Sequence, residues 1–114
     1  MSLLLAIIGH LVGDYLLQND WMALNKKKWW LPLVVHCTLW TISVCVFSGW
    51  FRISVIVFLW MTHVIQDSTE IVRWWMEMIG QHQFRTGPCS PWSTIVVDNV
   101  WHILALFVVW KWCL

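Results

Sequence analysis

Charge is what this sequence has little of. Only 11% of its 114 residues are Asp, Glu, Lys or Arg, whereas 60% are hydrophobic. A soluble domain carries about 25% charged residues, so this chain is short of the polar groups a water-facing exterior needs, and its mean hydropathy is +0.67. A net charge of +1 supplies no basic stripe, which argues against a nucleic-acid partner. The four cysteines contain no CxxC pair and fix no redox compartment. Cys37 and Cys45 lie in an apolar run and read as small buried residues. Repeats and low-complexity tracts are missing. So is a basic n-region before the first apolar stretch, which His10 and Asp14 interrupt; this segment reads as a mature helix, not a signal peptide. No Ser or Cys stands in a recognisable nucleophile arrangement.

Long apolar runs are present instead. A spanning helix needs about 20 mostly apolar residues. Four would use most of the chain and leave only short connections. The expectation is a single all-α domain over 1–114: an integral membrane bundle of four transmembrane helices over about 2–20, 29–47, 50–79 and 93–113. Pro32 falls in the first turn of the second helix, where a missing N–H is harmless. The third helix is expected to continue as an amphipathic cytoplasmic segment carrying Glu70, Arg73 and Glu77, with Gly80 as its C-terminal cap. Gly87, Pro88 and Pro91 mark 81–91 as a loop, and Ser93 or Thr94 is expected to open the last helix. Asp20 is expected to help end the first.

Nine of the twelve tryptophans (Trp21, Trp29, Trp30, Trp50, Trp74, Trp75, Trp92, Trp110 and Trp112) fall near expected helix ends, where an indole sits well in a membrane interface. Lys26, Lys27, Lys28, Arg73 and Arg85 fall on one side of such a bundle, and Arg52 and Lys111 on the other. The positive-inside bias then puts the 21–28 and 80–92 connections in the cytoplasm and both termini outside.

Ionisable residues interrupt every apolar run. The first helix carries His10 and Asp14, the third His63 and Asp67, and the last Asp98 and His102, while the second has His36. A spacing of four puts each pair on one helical face, and Glu70 extends the stripe on the third helix. At about 1.5 Å per residue, all seven groups fall in the half of the bilayer nearer the lysines. The reversed order of the last pair places its Asp at the same end as the other two. One His/Asp pair can be a satisfied contact between helices. Three pairs and a fourth histidine at one depth point instead to function. Imidazole and carboxylate ligate zinc, manganese or iron, and they also make proton relays. A haem between two of the histidines fits poorly beside so many acids. His82 reads as a solvated loop residue. Gly9 and Gly13 make a Gly-x-x-x-Gly that allows a neighbouring helix close to the His10/Asp14 side.

The favoured reading is a membrane-embedded divalent-metal protein with His10, Asp14, His36, His63, Asp67, Asp98 and His102 as ligands. Asp14, His63 and Asp98 would be its catalytic groups if it is a hydrolase of a lipid or phosphoester. A proton or ion path is the alternative, and a non-catalytic phage lysis or exclusion factor a third. Membrane lipids are the expected partners, with a homo-oligomer possible.

The stretch Gly9-His10-Leu11-Val12-Gly13-Asp14-Tyr15-Leu16-Leu17-Gln18-Asn19-Asp20-Trp21-Met22-Ala23-Leu24-Asn25-Lys26 resembles the opening of an uncharacterised, domain-of-unknown-function family of small bacterial and phage membrane proteins. The resemblance extends to a His in the second helix, a His/Asp segment in the third and an Asp/His segment near the end. It implies a bacterial or phage inner-membrane protein. More distantly, the pattern is similar to membrane-bound metal-dependent hydrolases.

Overall fold

A computed structural model describes residues 2–114. Among them the chain is helical throughout, with no strand. Helix α1 (Ser2–Leu11) runs into a π-helical turn, Val12–Leu16, and α2 (Asp20–Asn25) follows. Then come α3 (Trp30–Ser48), α4 (Ile53–Ser68), α5 (Ile71–Met78), α6 (His82–Thr86) and α7 (Trp92–Val108), the last continuing as a π-helical turn, Val109–Cys113. Two helices, Trp30–Ser48 and Trp92–Cys113, are long and apolar enough to cross a membrane, and α4 with α5 makes a third if that bent pair is one span. The stretch Leu3–Leu16 is apolar but shorter.

Helix α3 is the centre. It is apolar on all sides, the pattern of a helix buried among others, and residues on several of its faces are buried, including His36, Cys37, Trp40, Val44 and Cys45. Helix α1 lies against it with almost no gap. A Cβ on Gly9 would stand 2.8 Å from both Ser43 O and Val44 Cα, and one on Gly13 would stand 2.9 Å from Trp40 Cδ1. The Gly-x-x-x-Gly contact expected from the sequence is this one, and Ser43 Oγ donates to Gly9 O across it at 2.7 Å.

Several expected boundaries move. The first helix does not reach residue 20. It stops at the π-helical turn, and Asp20 opens α2 instead of closing α1, because the Asn19 side chain accepts from Met22 N at 3.0 Å and caps a new start. The continuous helix expected over 50–79 begins at Ile53 and is broken at Thr69–Glu70, with α4 and α5 meeting at 70°. Lys27 Nζ stabilises the break by donating to Asp67 O at 2.9 Å and Thr69 O at 2.8 Å, carbonyls a helix end leaves unpaired. Gly80 does cap the segment: at φ +85°, with Gln81 N bonded to Met76 O and Gly80 N to Glu77 O, it forms a Schellman motif. The 81–91 loop contains α6, and α7 starts at Trp92 rather than at Ser93 or Thr94. Most of the nine tryptophans expected near helix ends are exposed, but Trp50 is buried in the core.

Candidate metal centre

The four longest helical segments deliver their ionisable side chains to one place. The π-helical turn after α1 carries Asp14 inward, its wider loop being a form common at functional sites. Asp14 Oδ1 lies 3.3 Å from His36 Nε2 on α3 and 3.6 Å from His63 Nε2 on α4. Asp67, one turn beyond His63, places Oδ2 at 3.0 Å from His36 Nε2 and 3.2 Å from His63 Nε2. The two Nε2 atoms are 3.0 Å apart, so at most one proton fits between them and at least one presents a lone pair. Helix α7 adds His102, whose Nε2 is 3.3 Å from Asp98 Oδ2 and 3.6 Å from Asp67 Oδ1. His36, His63, Asp67 and His102 are all buried.

Ring stacking fixes the imidazoles. Trp40 stacks on His63 at 4.1 Å between centroids and 19° between planes, and His63 stacks on His102 at 4.2 Å and 23°. Trp40 Nε1 also donates to His10 Nδ1 at 3.0 Å, which assigns the His10 proton to Nε2, 2.8 Å from Asn99 Oδ1. Asn99 in turn donates to the Tyr15 hydroxyl. Gln66 Nε2 donates to Asp98 Oδ1 at 2.9 Å and to Asp98 O at 2.8 Å.

Lys26 reaches in from the end of α2, and its Nζ stands 3.1 Å from Asp67 Oδ2. Burial opposes the charge of Lys26, but Asp67, with Asp14 and Asp98, outweighs that and holds the ammonium pKa above its usual value. With neutral histidines, three carboxylates (Asp14, Asp67, Asp98) face one ammonium. The deficit matches the charge of one divalent cation, or of two protonated histidines.

The donor spacing fits such an ion. Ligands about 2.0–2.1 Å from a tetrahedral zinc lie roughly 3.3 Å from one another. Asp14, His36 and His63 form a triangle with edges of 3.0, 3.3 and 3.6 Å, and Asp67 with the same two histidines forms one with edges of 3.0, 3.0 and 3.2 Å. Asp14, Asp98 and His102 are a further set of ligand atoms within 4.8 Å of one another, as are Cys37, His63 and Asp67. Asp14 Oδ1 and His102 Nε2 are buried without a well-formed hydrogen bond.

Six of the seven residues named from the sequence as ligands therefore offer atoms to these sets. The seventh, His10, lies at the edge with both ring nitrogens engaged by Trp40 and Asn99. Glu70 does not join the stripe, because the break before α5 turns it outward to pair with Arg73 at 3.1 Å. His82 is exposed as expected but not simply solvated: its Nδ1 is 2.9 Å from Glu77 Oε1, which also accepts from Arg85. Hydrogen bonding from His82, then Arg85, holds the Glu77 carboxyl below its usual range. Sequence reasoning missed Trp40, Lys26, Asn99, Gln66 and the place of Cys37. Trp40 had a signal, since it lies four residues after His36 on the same face of α3. The others meet partners far along the chain.

The family described as "Protein of unknown function (DUF3307)" matches residues 2–114, and the chain belongs to it. No curated protein and no solved structure matches.

Proposed function

We propose that this DUF3307 protein binds a divalent metal inside a membrane, between His36, His63 and the carboxylates of Asp14 and Asp67, with Asp98 and His102 completing the site. One observation carries the reading: donors from three separate helical segments stand 3.0–3.6 Å apart, the spacing of neighbouring ligands around one ion. Imidazole with carboxylate suits zinc, manganese or iron. Two or three helices of membrane-spanning length support the location. We place the chain in a bacterial inner membrane as a four-helix bundle, α1 and α4 serving as shorter spans and α5 as an amphipathic cytoplasmic segment. The termini are outside and the Lys26–Lys28 end is cytoplasmic.

Catalysis needs a position left open to water, which three of these donors holding the ion would give, and the metal would then lower the pKa of that water and supply hydroxide near neutral pH. This favours hydrolysis of a phosphoester or lipid ester. Asp98, partly exposed at 31%, would take a proton from water when it stands beside the ion instead of ligating it. A proton or ion path fits less well. The polar chain ends at Trp40 and His10, and an apolar layer that includes Ala6, Val44, Leu59 and Leu106 closes the other half.

Elemental analysis of detergent-purified protein tests the proposal. Stoichiometric metal is expected, with a melting temperature that falls on chelation and recovers on readdition, since binding is coupled to folding. Asp14→Asn, nearly isosteric, and His63→Ala should abolish that response, while His82→Ala keeps it. Wild-type protein without stoichiometric metal or chelator response would sink the metal reading and hydrolysis with it. Proton flux in liposomes would then favour a transport path, and its absence a non-catalytic role.

A further inference from the structure

Two cavities share a wall at the elbow between α4 and α5. One, of about 280 Å³, is apolar and walled by Ile65, Ile71, Trp74, Trp75 and Trp101. The other, of about 130 Å³, is polar and walled by Lys26, Lys27, Arg73, Asp67 and Asp98. Gln66 and Val72 line both. Trp75 and Trp101 meet edge to face, with centroids 5.3 Å apart.

We propose that the two cavities together seat one phosphate-bearing lipid, an acyl chain in the tryptophan groove and the phosphate in the polar pocket beside Asp67 and Asp98. The proposal rests on the metal reading and names the substrate class of that site. Charge supplies the first argument. Lys26, Lys27 and Arg73 are balanced in this pocket by Asp67, Glu70 and Asp98. A divalent ion held among Asp14, Asp67 and Asp98 leaves these groups, with Glu70 and the three cations, one net positive charge, and an anion then completes the pocket. Phosphate suits lysine and arginine donors.

Shape supplies the second. Ligand pockets usually exceed about 300 Å³, so the groove takes a single chain rather than a whole lipid. Tryptophans favour the level where one end of a molecule is apolar and the other wet. Helix α5 has the matching character, with Ile71, Trp74 and Met78 exposed on it beside the charged Arg73 and Glu77. A water-soluble phosphoester would leave the groove unused, and an apolar protein segment would leave the polar pocket unused.

Native mass spectrometry of the detergent-purified protein distinguishes these ligands, using phosphatidic acid, diacylglycerol of the same chains and inorganic phosphate as probes, with metal content read on the same sample. One retained phosphatidic acid per chain is expected, weakened roughly tenfold by either Trp74→Ala or Arg73→Gln and unchanged by Arg52→Gln at the other end of the bundle. Trp74 and Arg73 are both exposed, so neither change should unfold the protein. Retention of diacylglycerol to the same degree would overturn the phosphate contact. Full displacement of the lipid by inorganic phosphate, or indifference to Trp74→Ala, would overturn the chain contact. Metal without lipid sinks this proposal alone; lipid without metal sinks the metal reading and leaves the seat standing.

Discussion

Where α3 ends and α4 begins, Ala6, Val44, Trp50, Val55, Leu59, Leu106 and Val109 pack together, buried and free of charge. Toward the other end of the same helices, Asp14, His36, His63, Asp67 and His102 occupy equivalent interior positions. Trp40 belongs to both layers, packing on the apolar cluster with its ring and donating to His10 with its N–H. The apolar half holds by shape, and each side chain there can be trimmed with a local cost. The polar half holds by mutual compensation, so removing one member strands the rest. The difference separates a layer that supports the fold from one whose His and Asp groups stand close enough to hold a metal ion.

The sharpest break in that comparison is Asp67→Ala. It strips Lys26, His36, His63 and His102 of their shared carboxylate. Breaking a buried charged set this way costs about 3–5 kcal/mol, to be read as loss of stability in detergent unfolding. A cost near that of an exposed ion pair would mean that the polar half is hydrated and loosely coupled. Leu59→Ala in the other half, fully buried, should cost about 2–5 kcal/mol while leaving the chelator response intact. Loss of that response would show that the two layers are not separable. The smallest effect lies outside both. Glu77 has its carboxyl pKa depressed by His82 and Arg85, so its contribution is complete above the ordinary carboxylate range and disappears as pH falls through the lowered value. Hydrogen-exchange protection of α5 and α6 should drop in that acid window in wild type and be flat in Glu77→Gln, with metal content at neutral pH the same in both.

The interior polar positions were legible because spacing of four is a property of any helix, and α3 and α7 because a long apolar run with few charges has few other uses. The bend at Thr69–Glu70 was not. No Gly or Pro marks it, and the group that stabilises it, Lys27, lies about forty positions earlier in the chain. The displacement of Glu70 followed from the same blind spot, since its place on the stripe assumed an unbroken helix. Lys26 sat in a run of lysines that reads as a topology signal, and nothing local distinguishes the one that turns inward to Asp67. Helix α2 was hidden by its length, six residues being too few for a period to emerge.

The brevity of the first apolar stretch has a consequence for the surrounding lipid. Leu3–Leu16 is fourteen residues, a rise of about 21 Å against a hydrocarbon thickness of about 30 Å. Lipid beside α1 would have to thin to meet it, whereas α7 with its π-helical extension, at 22 residues, is long enough to span the full depth. With α1 as a span, a bilayer around this molecule would be wedge-shaped, shallow on one flank and normal on the other. Such a protein would gather where membranes are already thin or curved, and a neighbour that relieves the same deficit would be drawn to its α1 side.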